Sequence, residues 1–313
     1  MRTPQKVFNE GMATTIEFKD LSKTFGQTHA VKDLSFAVTP GRVTGFLGPN
    51  GAGKSTSLRC LMGLVAPTSG AALIDGRDYA ELDKPARIVG AALEATGFHP
   101  GRTGYANLAV IADAIQLGRA DIETALERVG MTFAKDHRVE TYSLGMKQRL
   151  ALAGALLGKP EVLVLDEPAN GLDPEGIAWM RTFLQQHAAD GGTVLISSHV
   201  LAEVQQTVDD VVIISRGSLV KACPLEELVA STQSHVEVVT PQIEEMVQAL
   251  SRGIDGRIPT NIERRNQHHL EIQGLAIAEV GRIALRNNIE LHGLTDRRTD
   301  LEDVFLQLTG GEK

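Results

Sequence analysis

The nine residues Gly48-Pro49-Asn50-Gly51-Ala52-Gly53-Lys54-Ser55-Thr56 constrain this chain more than any other stretch. They follow an apolar run, residues 42–47, that reads as a buried strand, and precede residues 57–62, which read as the opening turns of a helix. Strand, glycine-rich turn and helix start form the context in which a loop binds phosphate. Glycines at 48, 51 and 53 let the backbone curl so that successive N–H groups converge on an anion. The helix start adds its own amides and the positive end of its dipole. Lys54 supplies a full charge for the outer phosphates, and Ser55 a hydroxyl oxygen suited to magnesium. All nine residues are therefore candidate contacts of a nucleoside triphosphate.

Composition narrows the setting. With 313 residues, 42% of them hydrophobic and 22% charged, the chain can form one large domain or two with the balance of a soluble protein. A net charge of -8 argues against a nucleic-acid surface. Cys60 and Cys223 lie far apart and suit a reducing compartment better than a disulfide framework. No apolar run approaches the roughly 18 residues that span a bilayer. The first nine residues lack the apolar core of a signal peptide, so a cytosolic location is expected, with any membrane role exerted through a partner. Residues 1–13 show no periodicity and are expected to be a disordered extension, with Met12 an alternative start.

Upstream of the loop, Thr15 to Phe18 and Leu34 to Val38 read as strands, with Lys23-Thr24-Phe25-Gly26 as an aromatic set in a polar turn between them. Downstream, Ala71 to Ile74 and Ile88 to Leu93 read as strands, the second ending at Glu94. From Thr103 to Val129 the period becomes helical, in two runs, the second of which Asp121 is placed to cap. Ser143 to Leu157 is helical as well and stops at Gly158-Lys159-Pro160. A helical insert over about residues 98–158 thus interrupts an α/β framework. The framework resumes with strands at Val162 to Leu165, Thr193 to Ser197 and Val211 to Ile214, separated by helices at Pro174 to Ala189 and Val200 to Thr207. This alternation predicts a mostly parallel sheet covered on both faces, preceded by antiparallel strands. Beyond Cys223 the order is strand (Val236 to Val239), helix (Ile243 to Leu250), and two strands around Arg264-Arg265-Asn266. A helix (Ile277 to Arg286) and a strand (Ile289 to Gly293) complete it, which is the β-α-β-β-α-β order of a small α+β, ferredoxin-like unit. A last helix spans Leu301 to Leu308.

Asp166 and Glu167 close the apolar strand at its carboxyl end, where open α/β sheets bind ligands. There an aspartate can hold magnesium or its waters, and a neighbouring glutamate can orient or deprotonate an attacking water. Ser143-Leu144-Gly145-Met146-Lys147-Gln148-Arg149 precedes that strand. Asn170-Gly171-Leu172-Asp173 follows it, and Ser197-Ser198-His199 closes the next one.

In this order the motifs resemble those of ATP-binding cassette (ABC) proteins over about residues 14–220. The stretch from Ser143 is similar to the family signature, usually Leu-Ser-Gly-Gly-Gln, and the stretch from Asn170 to its D-loop. His199 stands where the family has its switch histidine, and Phe25 where an aromatic stacks on adenine. The resemblance implies a P-loop NTPase cassette over 14–222 and an accessory or dimerisation domain over 223–313. It implies that the loop and Phe25 hold ATP, that Ser55 and Asp166 hold Mg2+, that Glu167 polarises the attacking water, and that His199 contacts the γ-phosphate. Ser143, Gly145 and Asp173 are then nucleotide contacts, with Ser143 and Gly145 reaching the ATP of an opposite protomer. Ser143 opens a helix, so its hydroxyl and the free amides there suit an anion. One chain would be half of a head-to-tail pair, made with itself or with a related cassette.

Departures from the family pattern carry information. Leu144 replaces the first signature glycine, Met146 its glutamine, and Glu94 the magnesium-binding glutamine. Glutamate is a hard oxygen ligand but adds negative charge near the γ-phosphate. Gly90-Ala91-Ala92-Leu93-Glu94 with Gly97-Phe98-His99-Pro100 resembles the bacitracin- and lantibiotic-resistance cassettes, where glutamate is usual, and this makes Glu94 a third candidate magnesium ligand. Residues 299–310 resemble the closing motif of daunorubicin- and bacitracin-type exporters. The resemblance therefore implies an exporter ATPase for drugs, antibiotic peptides or lipids, acting on a separately encoded permease at the cytoplasmic face of the membrane. Two alternatives stay open: a soluble ABC protein of translation or repair, and a weakly hydrolysing regulatory cassette. The Asn-Lys-x-Asp motif of GTPases is absent, and the adjacent pair His268-His269 points to opposite faces of a strand, poor geometry for a metal.

Overall fold

A computed structural model describes residues 14–93, 97–230, 234–298 and 301–310, so the 1–13 extension and Glu94 lie outside the described residues. The chain begins β1 (Ile16–Phe25), β2 (Thr28–Val38), β3 (Val43–Leu47), α1 (Lys54–Leu61), β4 (Ser69–Ile74), α2 (Pro85–Ile88) and β5 (Val89–Ala92). Three helices follow, α3 (Gly104–Ala114), α4 (Arg119–Arg128) and α5 (Leu144–Leu156). Next come β6 (Val162–Leu165), α6 (Pro174–Ala189), β7 (Thr193–Ser198), α7 (Leu201–Val204), β8 (Asp210–Ser215) and β9 (Ser218–Pro224). The remainder is α8 (Leu225–Ala230), β10 (Ser234–Val239), α9 (Ile243–Arg252), β11 (Asn261–Arg264), β12 (His269–Gln273), α10 (Ile277–Arg286), β13 (Gly293–Arg298) and α11 (Leu301–Thr309). Two compact units divide the chain, one up to Leu225 and one from Glu226.

In the first unit a six-stranded sheet has the order β5-β6-β7-β3-β8-β9, parallel except for β9, which pairs antiparallel with β8. Its central strands are buried along their whole length and mostly apolar, as a sheet covered on both faces requires. A second sheet, β2-β1-β4, is antiparallel. Phe18 and Phe36 of this sheet stack at 4.4 Å, and Phe36 meets Phe46 of β3 at 5.3 Å. This aromatic trio, with Leu58 and Leu61 of α1 in the same core, ties the small sheet to the strand that feeds the glycine-rich loop.

The β1–β2 hairpin is longer than its sequence pattern shows. Lys23–Phe25 lies in strand rather than turn, and only Gly26 and Gln27 connect the two strands. The register slips because Asp20 and Asp33 take left-handed backbone, φ 46 and 43. A serine across the ladder satisfies each bulge: Ser35 Oγ donates to Asp20 at 2.8 Å and Ser22 Oγ to Asp33 at 3.0 Å. These insertions break the two-residue alternation on which strand recognition depends. Edge strand β9 is weakly patterned as well, half-buried to exposed along its length, so its sequence gives little strand signal.

The insert packs three short helices, and α4 is capped by Gly118 rather than Asp121. Asp121 sits one turn in, its Oδ2 accepting the Gly118 N–H at 3.1 Å. Cation–π contacts fasten the insert to α6: Arg149 lies 4.2 Å over Trp179, Trp179 stacks on Phe183, and Arg128 covers Phe183 at 5.5 Å.

The second unit forms a four-stranded antiparallel sheet in the order β11-β12-β10-β13. Apolar residues of β10 and β12 (Val236, Val238, Leu270, Ile272) pack against α9 and α10 through Met246, Leu250, Val280 and Ile283. The opposite strand positions carry ion pairs, among them Arg297–Glu237 at 2.8 Å and Arg265–Glu271 at 2.9 Å. The closing strand spans Gly293–Arg298, not Ile289 to Gly293. Ile289 instead joins the unit's core, whereas β13 is a polar edge whose sequence hides its strand.

One buried group works against stability. Thr44, 1% exposed in β3, has a hydroxyl with no hydrogen-bond partner among the described residues. Thr44→Val keeps the shape and removes the unpaired hydroxyl, so it is expected to raise the unfolding free energy by about 1 kcal/mol. The urea midpoint, with an unchanged slope, is the measurement.

Candidate functional site

The carboxyl ends of β3, β6 and β7 lie side by side in the sheet and deliver the glycine-rich loop, Asp166-Glu167 and His199 to one edge. Local packing forces the loop's shape. Gly53 has φ +106, and a Cβ there would collide with the carbonyl of Ala30. Gly48 is required for close approach instead, since a Cβ would lie 2.5 Å from the Ile214 carbonyl. The first bond of α1 runs from Ser57 N–H to the Gly53 carbonyl at 2.9 Å. The amides of Lys54, Ser55 and Thr56 thus precede the helical ladder, as an anion-binding helix start requires.

A cleft of about 340 Å³ is lined by residues 50–56 with Ala30, Glu167, Asn170 and His199. Lys54 is 6% exposed. Its Nζ donates to the carbonyl of Gly48 at 2.7 Å and to that of Pro49 at 3.3 Å, and lies 3.7 Å from Glu167 Oε1. Burial draws the ammonium below the ordinary lysine range, while the charges of Glu167 and Asp166 pull it back up. The other carboxylate oxygen, Oε2, lies 2.9 Å from His199 Nδ1, which donates because a carboxylate only accepts. Glu167 therefore spans a lysine and a histidine. Its backbone takes φ 49, a left-handed conformation that costs of order 1–2 kcal/mol in a non-glycine residue.

Strand β7 holds the acidic pair through Ser197, which is fully buried. Its Oγ accepts the Glu167 amide at 2.9 Å and donates to Asp166 Oδ1. In sequence Ser197 reads only as a strand residue, and Ala30 and Asn170 carry no signal as lining residues. An alternation pattern cannot report which side chain crosses to a neighbouring strand end.

Phe25, Gly48, Pro49, Ser143, Gly145, Asp166 and Asp173 do not line this cleft. Phe25 ends β1 half exposed, with Lys23 Nζ 4.9 Å from its ring centroid. Ser143 caps α5, its Oγ accepting Met146 N–H at 3.2 Å, and Asp173 caps α6, its Oδ1 accepting Gly176 N–H at 2.7 Å. The two caps share a contact. Gly171 has φ +74, and the space its Cβ would need is filled by Leu144. The leucine that replaces a signature glycine thus packs on the loop after Glu167, and Gly145 lies against the same loop at Leu172.

A phosphate-binding loop, a buried lysine and a strand-end acidic pair, on a parallel sheet with a helical insert, define a P-loop nucleoside triphosphatase of the cassette type. The ABC transporter family model matches residues 31–170, and a domain of unknown function matches residues 234–302. The chain is 37% identical over 306 residues to the bacitracin transport ATP-binding protein BcrA of Bacillus licheniformis, covering 96% of this chain and 99% of that one. It is 35% identical over 205 residues to the lantibiotic transport ATP-binding protein SrtF of Streptococcus pyogenes, covering 66% and 89%. A solved ATP-binding subunit of an ABC transporter superposes with a TM-score of 0.62 at 28% identity, over 69% of this chain and 92% of that one. A dimeric bacterial ABC transporter cassette shares the fold, with a TM-score of 0.61 at 24% identity over 67% and 98%. The chain belongs to the ABC transporter ATP-binding proteins, and it is a nucleotide-binding, ATP-hydrolysing subunit. No helix among the described residues is long and apolar enough to cross a membrane.

The Leu144–Gly171 contact makes a double-variant prediction. Gly171→Ala must displace Leu144, so ATPase activity is expected to fall about 10-fold. Adding Leu144→Ala removes the closest side-chain atoms but leaves alanine at φ +74, so it should recover only part of the lost activity. Steady-state phosphate release from the two single variants and the pair reads the coupling.

Proposed function

We propose that this chain drives a separate membrane permease that exports an antibiotic peptide, a drug or a lipid, working as one half of a head-to-tail pair of cassettes on the cytoplasmic face. The observation that carries the catalytic part is Glu167, held between buried Lys54 and His199 in the wall of the loop's own cleft. Names of relatives aligned over nearly the whole chain support the bacitracin direction, and a lantibiotic transport relative aligned over 66% of the chain supports the lantibiotic one. The likeness to a cassette solved as a dimer supports pairing. Ser143, Gly145 and Asp173 standing outside the cleft suits contacts to a nucleotide held by a second cassette. A repair-type protein would carry a long coiled-coil insert, whereas the helices here have 11, 10 and 13 residues.

In this reading Lys54 exchanges the Gly48 and Pro49 carbonyls for phosphate oxygens, its charge already desolvated. That exchange releases Glu167 Oε1, while His199 keeps Oε2 fixed. Glu167 then takes a proton from the attacking water as its oxygen bonds to the γ-phosphorus, and ADP leaves with the electron pair of the broken P–O bond. With Nδ1 on Glu167, His199 keeps its other ring nitrogen for the γ-phosphate. Phe25, on its exposed strand end, is the surface offered to adenine. Ser55 and Asp166, joined by Glu94, are the residues that would hold Mg2+, which when bound neutralises phosphate charge. Among the described residues no three His, Cys, Asp or Glu side chains form a metal cage, and magnesium bound through substrate phosphates needs none.

Glu167→Gln is expected to lower turnover about 100-fold or more while nucleotide still binds, and Glu94→Gln to shift the magnesium concentration for half-maximal rate. Steady-state ATPase titrated with magnesium measures both, and equal rates for wild type and Glu167→Gln would remove the catalytic assignment. Partner identity is read by solubilising membranes and identifying what co-purifies with the chain. A polytopic membrane protein is expected, and ribosomes alone would overturn the exporter reading.

A further inference from the structure

We infer that Ser197 is a positioning residue that sets the magnesium response of the site, an inference that rests on the ATPase reading above. Strand β6 exhausts its ordinary ladder at Asp166, whose amide donates to the Ala92 carbonyl of β5 at 2.9 Å. One residue later the backbone turns into left-handed space at Glu167, and the next amide no longer meets a strand carbonyl. Ser197 receives it at 2.9 Å, so a side chain stands in for the next rung of the sheet.

The direction of both bonds follows from donor and acceptor chemistry. An amide only donates and a carboxylate only accepts, so the single hydroxyl proton of Ser197 must point to Asp166 Oδ1. That bond fixes the Asp166 carboxylate and leaves Oδ2 for a cation or its waters. The same oxygen stabilises the turn that carries Glu167 to Lys54 and His199. One fully buried hydroxyl therefore sets the direction of the candidate magnesium ligand and of the candidate base at once. The adjacent hydroxyl, Ser198 Oγ, is engaged with Val200 instead. Ser197 also lines a void of about 20 Å³.

The test uses the purified full chain and its Ser197→Ala, Ser197→Cys and Ser197→Thr variants. A fluorescent ATP analogue is titrated in EDTA and then with magnesium, and ATPase rates are measured across the same magnesium series. Ser197→Ala should bind the analogue in EDTA as wild type does, need about 10-fold more magnesium for half-maximal response, and turn over about 30-fold more slowly. Ser197→Cys, which keeps the branching with a somewhat larger atom and donates weakly, should shift the same way and serves if the alanine variant does not fold. Ser197→Thr, which retains the hydroxyl, should return both readouts to within about 3-fold of wild type. A magnesium response within 2-fold of wild type in Ser197→Ala or Ser197→Cys would overturn the inference. So would an equal loss of affinity in EDTA, which marks general damage. If the wild-type chain hydrolyses no ATP, the ATPase reading fails by itself, while the magnesium titration of binding still decides the role of Ser197.

Discussion

Lys54 is withdrawn from water before any phosphate arrives, and the site depends on how that charge is held. Two loop carbonyls and one carboxylate replace its hydration, and burial still lowers its affinity for the proton. A buried cation of this kind is poorly compensated by its own protein and well compensated by a polyanion. The same contact restrains Glu167 in a backbone conformation that a side-chain residue adopts at a cost. The sheet absorbs that cost because β3, β6 and β7 are buried throughout and cannot relax independently.

Around this contact the first unit separates rigid parts from exposed ones. The loop, the acidic pair and His199 all grow from strand ends in one sheet, where neighbouring strands fix their spacing. The residues at Ser143 and Asp173 grow from helix starts whose caps are already made, so their backbone amides rather than flexible side chains define the surface they present. Leu144 over Gly171 joins those two helix starts into one surface. A substitution common to neither motif alone is thus readable as a matched pair once the two are seen in contact.

Most of the framework was legible because its strands are continuous apolar runs and its helices repeat at one period, as in Val162–Leu165 and Pro174–Ala189. The glycine-rich loop was legible because few other backbones need that spacing of glycines. Legibility failed where structure is made by exceptions to period. The Asp20 and Asp33 bulges hid half of a hairpin, and polar edges hid β9 and β13. Within the site, Lys54, Glu167 and His199 announce themselves by chemistry at strand ends, and the structure brings them into one cleft. Ser197 does not, because its importance lies in two hydrogen bonds across strands that share no local sequence.

Trp179 gives the molecule one more property. It is the single tryptophan of the chain, and its indole lies under the Arg149 guanidinium of the helix that Ser143 caps. Indole emission responds strongly to a cation placed on the ring face. Any displacement of that helix relative to α6 changes the distance between the two groups. The chain thus carries a native optical gauge of the insert's position, readable without a label and without disturbing the glycine-rich loop.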